Sequence, residues 1–305
     1  MENWFNAFGW LVSIVTAAGN GFVIFLVAKN RQLHSRSANL FVLSLAVADF
    51  GIGIAVFPSS YFCKYSTACN FRVYMAFFWF FLHSSVTNLC FLTLDRYIAI
   101  VHPYTEYNNS TTKRHPGKVI LIAWSIPFAI SLSLLVGMYA RTSNTTQIVL
   151  QLTGVSAFDI ICCVLLFYAV VRILIVARAR SHDVSVIELQ VQINHSTEFS
   201  NSHRRGKNIT ARFIIALVVF FLGCYVAVNY LVFCLSFPCH IMPDQAAQVV
   251  TCLLVLNSAV NPFVYALLKK DIKEEIFKLF PRQDNHRVGS SATTTTALVS
   301  GAEYS

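Results

Sequence analysis

The chain has 305 residues, 56% of them hydrophobic and only 12% charged, with 26 Phe and a net charge of +9. A soluble domain of this length has too little interior to hide so much apolar side chain, which excludes a water-soluble enzyme or a nucleic-acid-binding module. The basic excess instead suits a surface lying against anionic lipid.

Seven apolar stretches follow one another at about 9–28, 39–58, 71–101, 118–138, 148–177, 209–236 and 247–268. Each reaches the roughly 20 residues that an α-helix needs to cross a hydrocarbon core. The expected fold class is an all-α membrane protein, a seven-transmembrane helix bundle. Residues 1–8 are expected to form a short extracellular amino terminus, 9–268 the bundle, 269–281 an amphipathic membrane-surface helix, and 282–305 a flexible cytoplasmic tail. The first span, with no separate leader before it, is read as its own targeting signal, and any ligand is expected to meet the bundle and its short loops.

Orientation follows from Lys and Arg, which are retained on the cytoplasmic side of a span. With the amino terminus outside, the outer loops and helix ends hold only Lys64, Arg72 and Arg141, and the other 20 of 23 basic residues fall on the inner side. Of the nine Cys, Cys63, Cys69, Cys234 and Cys239 lie in or near outer loops. They are either free thiols or local bridges, Cys63 to Cys69 and Cys234 to Cys239, since a sequence does not determine pairing. Asn144-Thr145-Thr146 is a glycosylation signal in the second outer loop, whereas similar triplets at Asn109, Asn194 and Asn208 fall on the inner side. The third inner loop, about 178–207, lacks periodicity and is expected to be flexible. Beyond the seventh span, Ile272, Ile276, Phe277, Leu279 and Phe280 share one helical face with basic residues beside it, and Pro281 ends that helix. The tail, with Ser290, Ser291 and Thr293 to Thr296, is a solvated segment or a site for kinase modification.

Polar side chains inside spans are costly, so each is a functional candidate. Asn20, Asp49, Ser85, Asn88, Asn257, Ser258 and Asn261 fall within spans one, two, three and seven. Asp49 either holds a small cation, sodium being the expected one, among hard oxygen ligands, or is protonated and hydrogen-bonded to Asn261. Asp95-Arg96-Tyr97 closes the third span with an acid beside a base that can exchange partners, or with a plain surface ion pair. Asn261-Pro262-Phe263-Val264-Tyr265 places a kink near the inner end of the seventh span.

Taken in order, these residues resemble the rhodopsin class of G-protein-coupled receptors over nearly all of residues 9–280. Asn20 with Val23 is similar to the first-helix GNxxV pattern, and Leu45 to Asp49 to LAxAD. Asp95 to Tyr97 is similar to DRY, Trp124 to the fourth-helix tryptophan, and Asn261 to Tyr265 to NPxxY. The resemblance implies a plasma-membrane receptor, not an enzyme, that passes an extracellular ligand signal to a heterotrimeric G protein, with a receptor kinase, arrestin and membrane lipid as further partners and no nucleic acid. By the same resemblance Asp95, Arg96, Tyr97, Asn261, Pro262, Tyr265, Phe221 and Tyr225 form the activation switch. Asp49, Ser85, Asn257, Ser258 and Asn261 form a sodium pocket, with no cofactor otherwise required.

The chain also departs from that pattern. Tyr225 stands where the family usually has tryptophan, Ala227 where it has proline, and Lys207 where some members carry an acid. The fifth span has no proline near Ile160, and Tyr168 is not in clean register with the family's tyrosine. These differences favour measurable signalling without ligand. The second outer loop has no Cys, so the family's usual bridge to the third helix is absent, a trait that resembles the melanocortin receptors and, more loosely, the group they form with adenosine and cannabinoid receptors. Phe78 replaces the aspartate of biogenic-amine receptors, Ser59, Phe71 and Met75 stand where melanocortin receptors cluster acids, and Val255 replaces the opsin lysine. The expected ligand is small and largely apolar or aromatic, met by Phe78, Phe81, Asp159, Tyr225 and Asn229, with Asp159 its one candidate counter-ion. His83 is read as a packed or hydrogen-bonded side chain. The alternative to a receptor is a seven-span transporter or channel conducting past Asp49 and Asn261.

Overall fold

The computed structural model describes residues 2–102, 115–140, 143–192, 220–234, 237 and 246–279. Cys239, Lys207, Arg141, Asn109, Asn194, Asn208, Phe280, Pro281 and the tail lie outside them. Among the described residues the regular elements are all helical.

The first span is α1 (Glu2–Lys29), and a short α2 (Arg31–His34) follows it. The second span is built from α3 (Ser37–Gly51), a π-helical turn (Ile52–Val56) and α4 (Phe57–Tyr65). The third is α5 (Phe71–Val101) and the fourth α6 (Pro116–Tyr139). The fifth joins α7 (Asn144–Gln151), a second π-helical turn (Leu152–Ala157) and α8 (Phe158–Gln192). Then come α9 (Phe220–Cys234), α10 (Ala246–Leu268) and α11 (Lys270–Leu279). Counted through the π turns, six helical runs among the described residues are long and apolar enough to cross a membrane, and α9 is the shorter apolar helix of the sixth stretch.

The third span sits centrally, packed against the second, fourth and fifth, while the first packs against the second and seventh. One core cluster runs through the bundle from Ile52 and Phe78 to Leu166, Tyr225 and Leu254. A second, around Val27, Val42, Leu45 and Tyr265, is closed from below by Ile272 of α11. Long apolar side chains such as Leu121, Ile161 and Val226 are exposed around the outside. That is the reverse of a soluble protein and what lipid as solvent requires.

Several boundaries differ from the sequence reading. Helix α1 begins at Glu2, so the residues expected as the amino terminus are themselves helical from there. Helix α8 runs on to Gln192, through the first half of what was expected to be a flexible loop, because residues 179–192 contain neither Pro nor Gly to stop it. The π turn in the second span lies just before Pro58, whose ring nitrogen supplies no donor for the carbonyl one helical turn back, so the ladder widens there. In the fifth span, which has no proline, the π turn contains Gly154.

The first π turn aims Gly53 at the first span. A β-carbon at this position would lie 2.7 Å from the Ala17 backbone nitrogen and 3.1 Å from the Ser13 carbonyl oxygen, so backbone itself blocks any side chain. Gly53→Val is expected to cost about 1–3 kcal/mol by forcing the two spans apart. It should lower the thermal unfolding temperature of detergent-solubilised protein, while Gly117→Val, at a glycine with nothing within 4 Å, should leave it unchanged.

Candidate functional site

The polar residues that the sequence scatters over four spans meet at the centre of the bundle. Asp49 is 0% exposed. Ser85 Oγ donates to its Oδ1 at 2.6 Å, and Asn261 Nδ2 donates to its Oδ2 at 2.7 Å. One carboxylate thereby joins spans two, three and seven. Five residues earlier on α3, Ser44 Oγ donates to Asn88 Oδ1 at 2.6 Å and accepts from Trp124 Nε1 at 2.9 Å, extending the network to the fourth span. Asn88 Nδ2 returns to the Ser84 carbonyl of its own helix at 2.8 Å.

The first and seventh spans are joined through Pro262. Proline has no N–H, so the carbonyl of Ser258, four residues before it, loses its helical donor. Asn20 Nδ2 donates to that carbonyl at 3.2 Å and to the Thr16 carbonyl of its own helix at 2.9 Å. One turn along, Thr16 Oγ1 bonds the Val255 carbonyl at 3.3 Å. Gly19 lets the helices close: a β-carbon there would already be 3.1 Å from the Pro262 ring. Of the four residues expected around Asp49, the structure gathers Ser85, Ser258 and Asn261, while Asn257 is half-buried and stands outside these bonds. Sequence reading missed Thr16 and Ser44. Thr16 could have been found from its spacing four residues before Asn20, which puts both on one helical face.

At the end of the third span Arg96 Nη2 lies 3.2 Å from Asp95 Oδ2, with the Arg96 side chain 42% exposed. Tyr97 packs against His102 and Tyr168, at ring distances of 5.6 and 6.2 Å. Tyr265 is buried in the second core cluster. At this same end α11 is docked by two cations. Arg36 forms an ion pair with Asp271, which lifts the Arg36 guanidinium further above its ordinary value. Lys269 Nζ donates to the Ala38 carbonyl at 3.1 Å and to Asn39 Oδ1 at 2.5 Å. The expected apolar face of α11 is divided: Ile272 and Ile276 pack into the bundle, while Phe277 and Leu279 are exposed.

At the opposite end Cys63 and Cys69 are joined in a disulfide, Cα to Cα 5.0 Å, so the local alternative holds. Cys234 is also disulfide-bonded. Asn144 is the first residue of α7, whose first turn is capped by Ser143. Of the residues expected to meet a ligand, Phe78 and Tyr225 lie in the main core cluster, and Tyr225 stacks on Phe221 at 4.6 Å. Asp159 is buried beside His83, and Asn229 Nδ2 bonds the Tyr225 carbonyl at 2.9 Å. Phe81 turns towards the second span, its ring lying against Gly51.

A bundle of apolar helices bonded through buried polar groups at its centre, with an arginine at one end of its central helix, is the architecture of a seven-helix membrane receptor. Residues 19–265 match the family described as 7 transmembrane receptor (rhodopsin family), and the chain belongs to it. Galanin receptor 2a of Danio rerio is 24% identical over 91% of this chain and 78% of its own length. Trace amine-associated receptor 7d of Mus musculus is 27% identical over 92% and 83%, and adenosine receptor A2a of Equus caballus 26% over 96% and 77%.

Two measurements test this geometry. Asn20→Ala, which strips the Ser258 carbonyl of its donor, should cost about 1–3 kcal/mol. In a Pro262→Ala background, where a backbone N–H again faces that carbonyl, the same change should cost less, so a double-mutant cycle on thermal unfolding should give a non-zero coupling. Secondly, burial, with the charge of Arg96 adding to it, pushes the Lys269 ammonium down to about 8 from 10.5. The native state gives up this proton near pH 8 while the unfolded chain keeps it to about 10.5, so stability contributed by this group rises with pH across that window. Lys269→Met should flatten that rise in unfolding temperature.

Proposed function

We propose that the chain is a plasma-membrane receptor that converts binding of an extracellular ligand into activation of a heterotrimeric G protein. The disulfide end faces outward and the Arg96 end lies in the cytoplasm. The observation that carries this reading is the state of Arg96: it pairs with its sequence neighbour at 3.2 Å while 42% exposed. The guanidinium is the solvent-facing half of a pair whose carboxylate is 10% exposed, so it is Arg96 and not Asp95 that has room to swing towards a partner when the helices part.

Asp49 is the proposed seat of a sodium ion. Asp49, Ser85, Ser258 and Asn261 carry the hard oxygen donors that such a cation takes, and the cation would supply the positive charge that a buried carboxylate needs. The ligand is proposed to be small and largely apolar or aromatic. Phe78, Tyr225 and Asn229 line its site, Phe81 backs it where the third span meets the second, and Asp159 is its counter-ion. The relatives are named for galanin, for trace amines and for adenosine at near-equal identity, so similarity alone does not choose among ligands. The tail residues Ser290, Ser291 and Thr293 to Thr296 are the proposed place of kinase modification and arrestin recruitment, and Asn144 the proposed glycan site.

Reconstituted with G proteins, the receptor is expected to speed guanine-nucleotide exchange over protein-free vesicles even before ligand is added. Arg96→Ala should abolish the increase, and sodium should suppress basal exchange in the parent but not in Asp49→Asn. Exchange that stays at the vesicle background under a broad screen of amines, purines, peptides and lipids would refute the reading. A glycan found on Asn194 instead of Asn144 would refute the orientation.

A further inference from the structure

Apart from the Asp49 network, the bundle buries an imidazole opposite a carboxyl group. His83 of the third span and Asp159 of the fifth are each no more than 1% exposed. His83 Nε2 and Asp159 Oδ1 stand 3.6 Å apart, too far for a hydrogen bond. Both imidazole nitrogens and that carboxylate oxygen have no hydrogen-bond partner. Unpaired buried groups of this kind are costly, and within a membrane they mark a functional site by default.

Their placement follows from the backbone. The π turn Leu152–Ala157 ends two residues before Asp159, and from there the buried positions run Val155, Asp159, Cys162, Leu166, a single helical face turned to the core. A π turn shifts the register of all that follows it, and such turns recur at functional sites. The surroundings are aromatic. Trp79 stacks on His83 at 5.5 Å, Phe158 meets it edge-on at 5.1 Å, and Phe78 meets Trp79 at 5.2 Å.

A carboxylate, a neutral imidazole and aromatic faces together ask for a particular chemistry. The carboxylate calls for a positive charge, ring faces attract a cation, and an imidazole nitrogen left as acceptor calls for an N–H. An ammonium carrying several hydrogens meets all three. We propose that Asp159 and His83 form a donor-selective ammonium site, in which the carboxylate takes the charge of a primary amine on a small aromatic body and the imidazole accepts a second N–H. His83 is thus the specificity-determining residue that prefers primary amines to their N-trimethyl counterparts, which would leave both acceptors unpaired. This rests on the reading of the chain as a ligand-binding receptor and makes that reading's ligand an amine.

The test uses the purified full-length receptor in nanodiscs and direct binding of 2-phenylethylamine and its N,N,N-trimethyl derivative, followed by calorimetry without any G protein. The parent should bind the primary amine on the order of tenfold or more tighter, the worth of a hydrogen bond to a charged donor. His83→Phe should remove that preference by weakening the primary amine alone, His83→Gln, which keeps an acceptor oxygen, should restore part of it, and Asp159→Asn should weaken both ligands. If His83→Phe fails to elute as a monodisperse species, the His83→Gln and parent ratios carry the comparison. Equal affinity in the parent, an undiminished preference in His83→Phe, or activation by acid alone with no amine binding would overturn the proposal. Binding in the expected order with no nucleotide exchange would uphold this site and remove the receptor reading. Exchange driven by another ligand while neither amine binds would do the opposite.

Discussion

A carboxylate at the centre of a membrane-spanning bundle must be met by donors, because hydrocarbon offers none and the unmatched charge is expensive. Asp49 is met from two directions, by Ser85 of the third span and Asn261 of the seventh. That requirement holds three helices in register at one depth, since sliding any of them by a turn, roughly 5.4 Å, would break the bonds. The Ser44 link to Asn88 and Trp124 brings in the fourth span at a neighbouring level. The apolar core, by contrast, is non-directional and would tolerate several such slips.

The same logic explains why a helix breaker is tolerated beside that carboxylate. Pro262 orphans the Ser258 carbonyl, and Asn20 supplies the missing donor from another helix. The proline thereby converts an internal helix bond into an interhelical one. A joint of this sort can be broken and remade without unfolding either helix, which is what a receptor whose helices part at the Arg96 end would need. Docking of α11 through Lys269 and Arg36 ties the far end of the seventh span to the start of the second.

The unpaired His83 and Asp159 stand in contrast. The Asp49 network spends its donors within the protein, whereas the third and fifth spans meet where both His83 nitrogens and Asp159 Oδ1 have no hydrogen-bond partner. The first centre is bonded from helix to helix, and the second leaves its facing acceptors open. Structure and proposed ligand recognition separate on that difference.

Much of this could be read in the chain directly. Run length and hydropathy identify the spans, because a helix in lipid must satisfy its backbone within itself, though not where each helix starts and stops. Motif order marks Asp49, Arg96 and Asn261 as belonging together, and the short separation of Cys63 and Cys69 favoured the bridge that forms. What the residues could not declare were the two π turns, since these arise where Pro58 or Gly154 meets a packing demand from another helix. Nor could they declare the partner of each polar side chain: that Asn20 serves the Ser258 carbonyl, that Phe81 faces Gly51, or that His83 stands unpaired opposite Asp159. Local chemistry decided which segments cross the membrane. Only the packing of one helix against another, through rotations set by a single added residue per turn, decided which polar atoms would meet.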